Sequence, residues 1–399
     1  MKTHPVLLIA HAFPPENLIG AYRPGRFARY LPDFGFEPWV MTASDQPSPL
    51  PPRLLHVPFS YNLLEIAFAK SFFPHDDRIT WAPRALRAAS RWLSQIPGKP
   101  IIFSTSPPVA SHWVAWRLAR RFGLPWVADL RDPLVANFGR RTRLGKYPDG
   151  WFECQTVQRS DRLIMNTAAA AQELCSRYPE HAHKVSSLPN GYDPADSFGP
   201  LPIPPRSCRV WFYGGTIYQN RYAERLLDAL WRLVDSGRLA LDWQLRFLGL
   251  IEDPSLMQRP SALALAERGA INAHFHHVPR AEALREAAEA DGTLILDAFH
   301  SRSPNLVIPG KSFECVRLGR PILAFTSPDA PLDRLLKLSG VPSSIIYEED
   351  PPTRIEEKLL AYAQLPSTPV SPSTAFELAH SAPHQTRTLA ALFQELLPS

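Results

Sequence analysis

The chain has 399 residues, which is enough for two or three domains. Hydrophobic residues make up 45% and charged residues 20%, a balance that excludes a disordered chain. The formal net charge of +5 is too small to indicate a nucleic-acid partner, although arginine dominates: only 8 of the 43 basic residues are lysine.

Cysteine usage and hydropathy indicate in which cellular compartment the protein is expected. The cysteines lie far apart without CxxC spacing, so we expect neither a zinc nor a redox site: Cys154, Cys175, Cys208 and Cys315. Free thiols are typical of a reducing cytoplasm. The N-terminal apolar run, 6–10, is too short for a secretory signal, and no segment reaches the roughly 20 residues of a membrane span. We therefore expect a cytoplasmic protein, with a peripheral position on the inner face of the membrane left open.

Short apolar runs alternate with longer amphipathic segments, which predicts βα units and parallel sheets. In the first half the runs predict strands at 6–10, 38–42, 101–104, 126–129 and 162–165. In the second half they predict strands at 210–213, 245–249, 273–276, 293–296, 322–325 and 344–347. A proline-rich connector near 195–207 separates the halves. The prediction is an α/β protein with domains at 1–195 and 208–368 and a C-terminal segment at 369–399.

Loops that follow the strands are candidates for the site, because parallel sheets bind ligands beyond the carboxyl ends of their strands. The first such loop contains Gly20 shortly before a predicted helix, and a helix N-terminus with a glycine can accept a phosphate. The loop lacks GxGxxG, which removes the main support for a dinucleotide oxidoreductase. A plain proline-rich connection is the alternative.

The second domain opens with a strand, two glycines and an arginine: Gly214, Gly215 and Arg221. The glycines would let backbone N–H groups approach an anion, and the guanidinium would add charge and paired donors. This arrangement predicts a phosphate site, with a structural turn as the alternative.

The most informative segment is 309–323. Lys311 and Glu314 lie one turn apart at the start of a predicted short helix, which Gly319 ends. A carboxylate at this place can accept hydrogen bonds from ribose hydroxyls. A capped surface helix with a local ion pair is also compatible with the spacing.

This segment resembles the donor site of the retaining nucleotide-sugar glycosyltransferases of family 4. In that family the site ends with Glu, four residues, Gly, any residue and Pro, the spacing of Glu314, Gly319 and Pro321. The preceding Pro309 and Lys311 are similar to a polysaccharide-biosynthesis subgroup. Other segments resemble the family's first loop, acceptor-side loops, domain crossing and "VP" segment in the same order: 13–23, 105–108, 128–133, 188–193 and 278–291.

The resemblance implies the GT-B fold, in which two Rossmann-like domains face each other across a cleft and a C-terminal helix crosses back to the N-terminal domain. It also implies donor binding mainly by the C-terminal domain, with no metal or other cofactor. Carried over by position, Glu314 would bind the ribose, Arg221 the diphosphate, and Gly20 a phosphate through its backbone. The donor site would further include Gly214, Gly215, Pro309 and Lys311. The acceptor side would include Arg23, Ser106 and Arg131.

Two positions depart from the family pattern. The family often has a second Glu seven residues before the one that Glu314 matches, and here that position is Val307. The family's first donor Arg aligns with Gly215, so only one of two phosphate cations is in its usual place, with Lys311 as a candidate substitute. These departures leave open the identity of the transferred sugar and, to a lesser degree, whether the chain is active.

Histidines and arginines elsewhere in the sequence could be taken for a metal site or for anion-binding clusters. His274, His276 and His277 lie on a predicted strand without nearby carboxylates, so we expect no metal there. Arginines accompany tryptophans on predicted helices at 83–94 and 112–122, and basic residues recur in a predicted loop at 140–146. Solvated faces usually explain such clusters. An anionic membrane surface or a lipid-diphosphate acceptor is the alternative.

Together these patterns predict transfer of a hexose-type sugar from a nucleotide-diphosphate sugar to a hydroxyl of a glycan or lipid-linked glycan, with retention implied by the resemblance. Asp132 or Asp129 would orient or deprotonate that hydroxyl, and His11 is a further candidate. Arg221, Lys311 and helix N-termini would stabilise the leaving diphosphate. The rivals are a sugar-nucleotide epimerase or hydrolase on the same fold, and a degenerate GT-B chain that binds a partner glycosyltransferase.

Overall fold

The computed structural model describes residues 3–16, 19–45, 53–60, 62–136, 143–196, 199–218, 223–276, 278–298 and 305–398. The chain divides into two compact units. Unit 1 comprises Met1–Asp193 and Ser381–Ser399, and unit 2 comprises Pro194–His380.

Unit 1 is built on one parallel sheet. Its strands are β1 (His4–Ile9), β2 (Phe36–Thr42), β3 (Leu54–His56), β4 (Ile101–Ser106), β5 (Trp126–Leu130), β6 (Arg162–Met165) and β7 (Val185–Ser187). Its helices before Asp193 are α1 (Ile19–Tyr30), α2 (Leu63–Phe72), α3 (Ala82–Trp92), α4 (Ala110–Phe122), α5 (Arg143–Arg159) and α6 (Ala168–Arg177). The strand order is β3-β2-β1-β4-β5-β6-β7.

The middle of this sheet is buried on both faces. Alternate residues of a strand point to opposite faces, and every residue from Val6 to Ile9 is fully buried. This explains why β1 stands in the sequence as a continuous apolar run. Strand β1 pairs with β2 on one side and β4 on the other, so the direction of winding reverses between β1 and β4. The ligand crevice of such a sheet lies beyond the carboxyl ends of these two strands.

Unit 2 repeats the architecture with six strands. They are β8 (Arg209–Gly214), β9 (Trp243–Leu248), β10 (Ile271–His274), β11 (Gly292–Leu296), β12 (Ile322–Thr326) and β13 (Ser343–Tyr347). The helices are α7 (Ala223–Asp235), α8 (Pro260–Glu267), α9 (Arg280–Glu289), α10 (Lys311–Leu318), α11 (Pro331–Ser339), α12 (Pro352–Ala363) and α13 (Thr374–His380). The strand order is β10-β9-β8-β11-β12-β13, so the reversal lies between β8 and β11. The loop after β8 and the segment after β11 therefore meet at one crevice.

The last helix, α14 (Ala382–Gln394), belongs to unit 1. Its Phe393 is fully buried, with ring centroids 5.4 Å from Phe36 and 6.1 Å from Phe103. The predicted segment 369–399 is thus divided between the units, because α13 belongs to unit 2 and the chain joins unit 1 at Ser381.

Each predicted strand overlaps an observed strand, and three local predictions need correction. Strands β3 and β7, of three residues each, were not predicted. Strand β10 ends at His274, so His276 lies after the strand and not on it, and His277 lies outside the described residues. Helix α5 begins at Arg143, so the basic segment predicted as a loop at 140–146 becomes helical within its described part.

Candidate functional site

Lys311 lies at the crevice of unit 2, at the start of α10. Its Nζ donates a hydrogen bond to the carbonyl oxygen of Gly214 at 3.0 Å, and it lies 3.2 Å from the centroid of the Tyr213 ring. The Tyr213 hydroxyl in turn donates to the Thr216 carbonyl oxygen at 2.9 Å. These contacts join α10 to the loop after β8, so the ammonium charge lies where the winding of the sheet reverses.

Glycines bring the backbone of two loops close together at the same edge of the sheet. Gly215 has a φ of +108° and Gly249 a φ of +140°, both in the region that favours glycine. A Cβ at Gly249 would lie 2.4 Å from the carbonyl oxygen of Gly215. The Gly215 N–H donates to the Leu248 carbonyl oxygen at 2.8 Å, which continues the β8–β9 ladder by one bond. The position where the family has an arginine is thus filled by an exposed glycine that the local backbone requires.

Glu314 is held by an arginine that the sequence analysis did not single out. Arg280, the first residue of α9, places Nη2 2.5 Å from Glu314 Oε1, and about a quarter of each side chain is exposed. Arg280 follows directly on Val278 and Pro279, which belong to a segment that resembles the family. The carboxylate therefore stands at the edge of α10 in a fixed position, with Pro309 and Lys311 on the preceding turn.

A buried polar network supports the segment that leads into α10. Asp297, just after β11, accepts hydrogen bonds from the Thr326 hydroxyl and the Ala298 N–H, each at 2.8 Å. It also accepts one from the side-chain amide of Asn305. The Asn305 side-chain oxygen accepts from the N–H of Val307 at 3.3 Å, so the backbone at this departure from the family pattern is held by the buried network. Residues 299–304 lie outside the described residues, as does Arg221.

Asp129 in unit 1 is fully buried and its carboxylate is occupied. Arg23 donates from Nε to Oδ2 at 2.9 Å and from Nη2 to Oδ1 at 2.8 Å, and the Thr105 hydroxyl donates to Oδ2 at 2.8 Å. Arg23 also donates to the carbonyl oxygens of Leu188 and Pro189 at 2.9 and 2.8 Å. This geometry gives both residues a structural role, because they fix α1 against β5 and the segment at 188–190. These contacts do not support the prediction that Asp129 is a base or the prediction that Arg23 lies on the acceptor side.

Three of the predicted site residues lie close together in unit 1: Arg131, Ser106 and Gly20. Arg131 donates from Nε to the carbonyl oxygen of Ser106 at 2.8 Å and from Nη2 to that of Pro107 at 2.6 Å. A Cβ at Gly20 would lie 2.7 Å from its Nη1, so a larger residue there would require the guanidinium to move. Burial lowers the pKa of Arg131, and the charges of Asp132 and Asp129 oppose this shift. Asp132 is half-buried just beyond the carboxyl end of β5, next to this group.

His11 lies among aromatic rings. Its ring centroid is 5.6 Å from that of Phe59 and 5.3 Å from that of Trp81, and its Nε2 has no hydrogen-bond partner among the described residues. Burial, with a smaller effect of the Arg78 charge, lowers the pKa of His11 to about 3. His11 is therefore neutral at physiological pH and a weak base, which argues against its predicted catalytic role.

A second buried histidine, His112, was not predicted. Its Nδ1 lies within hydrogen-bond distance of the Ser104 hydroxyl, at 2.8 Å, and the Ser104 oxygen accepts from the Trp126 indole N–H at 2.7 Å. Burial lowers the pKa of His112 to about 3. The hydroxyl of Ser106 is also buried, and no described group forms a hydrogen bond with it. These groups pack beneath the loops after β4 and β5.

Comparison with known proteins shows a family similarity in the first half of the chain and the fold of nearly the whole chain. Residues 25–196 match the sequence model of the family described as Glycosyltransferase Family 4. Solved structures are similar over nearly the whole chain at low identity. Sucrose-phosphate synthase from Thermosynechococcus elongatus has a TM-score of 0.69 at 14% identity, covering 98% of this chain and 99% of that one. No curated protein matches the sequence significantly.

Two further structures have the same fold. The lipopolysaccharide outer core galactosyltransferase WaaB has a TM-score of 0.60 at 13% identity, covering 98% of this chain and 99% of its own. The trehalose-6-phosphate protein from E. coli, bound with UDP-2-fluoro glucose, has a TM-score of 0.64 at 11% identity, covering 99% and 100%. The chain has the GT-B fold. The predicted resemblance to the family 4 glycosyltransferases is confirmed over 25–196, where the family model matches, and the similar structures confirm the predicted fold.

Two negative observations apply to the described part of the chain. It contains no cluster of three or more His, Cys, Asp or Glu side chains that could hold a metal ion. None of its helices combines the length and the apolar character needed to cross a bilayer.

Proposed function

We propose that this protein transfers a hexose-type sugar from a nucleotide-diphosphate sugar to a hydroxyl of a glycan or lipid-linked glycan, with retention, in surface polysaccharide biosynthesis. The observation that carries the proposal is the contact between Lys311 and the Gly214 carbonyl oxygen. Through this contact a cation lies beside the glycine-containing loop after β8, at the edge where a doubly wound sheet binds its ligand. The UDP-sugar bound to the similar E. coli structure supports the donor class.

The donor would lie on unit 2. Glu314, held by Arg280, would accept hydrogen bonds from the ribose hydroxyls. Lys311 and Arg221 would offset the charge that develops on the leaving diphosphate, a contribution that grows in a site from which water is excluded. With cations of the chain itself in this role, the proposed reaction needs no metal ion.

The acceptor would be activated from unit 1. Asp132 is the better candidate for the group that orients or deprotonates the hydroxyl, because Asp129 is buried and already bonded through both oxygens. Arg131, held by the carbonyl oxygens of Ser106 and Pro107, would fix the backbone that carries Asp132. The similarity to a lipopolysaccharide galactosyltransferase supports a glycan acceptor.

The test is ligand stabilisation of the full-length protein. Melting temperatures would be measured with UDP, GDP, ADP and their sugars, since a ligand that binds the native state raises the melting temperature. We expect one nucleotide series to raise it in the wild type and less so in Glu314→Ala. Glu357→Ala, at an exposed carboxylate on α12, is the control. No shift with any nucleotide in the wild type would contradict the proposal.

Incubation with the donor alone tests the epimerase alternative. An epimerase turns over without an acceptor, whereas a glycosyltransferase needs one. Conversion of the sugar nucleotide in the absence of any glycan would therefore contradict the proposed sugar transfer and support the epimerase.

A further inference from the structure

Helix α2 is mostly apolar, with seven apolar residues out of ten, yet it lies at the surface of unit 1. Its sequence is LLEIAFAKSF, and among its described side chains Ala69 is the one that is buried. Leu63 and Leu64 are each 80% exposed, and Phe72 is 58% exposed. A helix at the surface of a globular protein normally turns its apolar residues toward the core and its polar residues toward water. Exposed leucines of this kind indicate that α2 meets an apolar partner.

Aromatic side chains extend this apolar surface. The ring of Phe73, at the end of α2, lies 5.7 Å from that of Phe152 on α5. Next to Phe152, Trp151 is 48% exposed, and Tyr147 one turn earlier is 80% exposed. Tryptophan and tyrosine combine an apolar ring with a polar tip, which suits the boundary between lipid and water.

Cations lie beside the apolar residues. Helix α3 adjoins α2 through Arg84, whose Nη2 lies 3.0 Å from both carboxylate oxygens of Glu65. Helix α4 adjoins α5 through Trp116 and Trp151, whose ring centroids are 6.0 Å apart. The exposed arginines of α3 and α4 are Arg87, Arg91, Arg117, Arg120 and Arg121. We call this surface, formed by exposed residues of α2, α3, α4 and α5, the α2–α5 face.

The charge of the chain is divided unequally between the units. Unit 1 has 24 Lys and Arg against 16 Asp and Glu, and unit 2 has 19 against 22. Residues 63–159 alone have 15 against 7, which equals the whole positive excess of unit 1. The positive excess of unit 1 therefore lies in the segment that contains α2 to α5.

We propose that the α2–α5 face binds the surface of an anionic lipid bilayer, with α2 lying in the interface. The leucines of α2 would enter the boundary of the acyl chains, and the arginines of α3 and α4 would contact anionic head groups. The positive charge argues against a second copy of the same face as the partner, because like charges would meet. The inference rests on the proposed function, in which a lipid-linked acceptor would be reached at a membrane.

The test is co-sedimentation of the full-length protein with vesicles of phosphatidylcholine alone and of phosphatidylcholine mixed with phosphatidylglycerol. The wild type is expected to bind the mixed vesicles and to bind more weakly as salt is raised. The double variant Leu63→Ser/Leu64→Ser should bind at least tenfold more weakly, because two exposed leucines lose their transfer to lipid. The control, Leu263→Ser/Leu378→Ser, changes leucines of unit 2 that are 49% and 53% exposed and should bind like the wild type.

A second pair of substitutions tests the head-group contact. Arg117→Gln/Arg121→Gln should lower the affinity for mixed vesicles by about fivefold per arginine and reduce the salt dependence. The inference is overturned if the wild type does not bind mixed vesicles, or if Leu63→Ser/Leu64→Ser binds as the control does. Conversion of a dimer to a monomer by the leucine variant, with vesicle binding unchanged, would assign α2 to a protein partner instead.

Nucleotide stabilisation of the same variants separates this inference from the proposed function. A wild type that is stabilised by a nucleotide but does not bind vesicles contradicts the membrane inference alone. A wild type that binds vesicles but is stabilised by no nucleotide contradicts the proposed function alone.

Discussion

Arg280 Nη2 lies 2.5 Å from Glu314 Oε1, which joins the first turn of α9 to the first turn of α10. Both residues are partly exposed at 26% and 22%, so the pair stands at the edge of unit 2 rather than in its core. An exposed ion pair contributes little to stability. Its position next to Lys311 suits the proposed binding site, because the ion pair fixes the carboxylate that is proposed to hold the ribose.

The first prediction follows from this pair. Glu314→Ala should weaken nucleotide binding by about 1–3 kcal/mol, the usual value for a hydrogen bond to a charged group. Arg280→Ala should have a smaller effect in the same direction, since the carboxylate remains but is no longer held. The effects of the two changes should not add in the double variant. Calorimetry with the nucleotide measures all three, and additive losses would show that the residues act independently.

Lys311 gives the second prediction. Lys311→Met removes the charge near the proposed diphosphate, so binding of a nucleoside diphosphate should weaken more than binding of the nucleoside. Arg221→Lys should act in the same way, because lysine does not reproduce the paired donors of arginine. Arg285→Met, at a side chain of α9 that is 74% exposed, is the matched control. Equal losses for nucleoside and diphosphate would argue against contact with phosphate.

The third prediction separates two neighbouring aspartates. Asp132→Asn should lower turnover by about a hundredfold or more, the usual value of a positioned acid or base, with the free energy of unfolding and donor binding nearly unchanged. Asp129→Asn should instead destabilise unit 1 by about 3–5 kcal/mol, because it leaves the buried guanidinium of Arg23 without its counter-charge. Denaturant unfolding and turnover, measured on both variants, test this. A stable Asp129→Asn protein that has lost activity would reverse the two roles.

The fourth prediction concerns the pH dependence of stability. The pKa of His11 and that of His112 are both about 3 in the folded chain, against an ordinary value of 6.5. Between these values the unfolded chain binds protons that the folded chain does not, so the free energy of unfolding falls as pH is lowered from about 6.5 toward 3. Each histidine adds a slope of about 1.4 kcal/mol per pH unit within this window.

His11→Phe tests one of the two contributions. Phenylalanine fills the space between Phe59 and Trp81 and removes a buried nitrogen that has no partner among the described groups. The variant should lose stability less steeply than the wild type between pH 6 and pH 4, as measured by denaturant unfolding. An unchanged slope would mean that His11 does not stay neutral in the folded chain over this range.

The fifth prediction concerns α14. Phe393→Ala should destabilise unit 1 by about 3–5 kcal/mol, because the ring is fully buried between Phe36 and Phe103. Leu378→Ala, on α13, is the control with a half-exposed side chain. A chain that ends after His380 should expose the apolar surface that α14 covers and lose solubility. If that shortened chain stays soluble and active, α14 is not needed for the core of unit 1.

The central strands could be predicted from the sequence because parallel strands buried on both faces are continuous apolar runs. The edge strands β3 and β7 could not, because three residues paired on one side have no such pattern. Gly319, with a φ of +66°, ends α10 as predicted, since a helix end of this kind favours glycine.

The site was harder to predict than the sheet. The motif identified Glu314, but its partner Arg280 lies 34 residues earlier and nothing in the spacing connects them. Asp129 resembles a catalytic carboxylate in sequence, and only the fold brings Arg23, 106 residues away, onto both of its oxygens. Burial of this kind depends on which elements pack together, which a single sequence does not record.

The chain leaves unit 1 after Asp193 and returns at Ser381, where the Ala382 N–H donates to the Tyr192 carbonyl oxygen at 2.9 Å. Unit 2 is therefore a continuous insertion within unit 1, and its two junctions run side by side. The ribosome therefore synthesises all of unit 2 before it makes the helix that completes the core of unit 1. The sheet of unit 1, although most of it is made first, cannot bury its apolar face completely until α14 has been made.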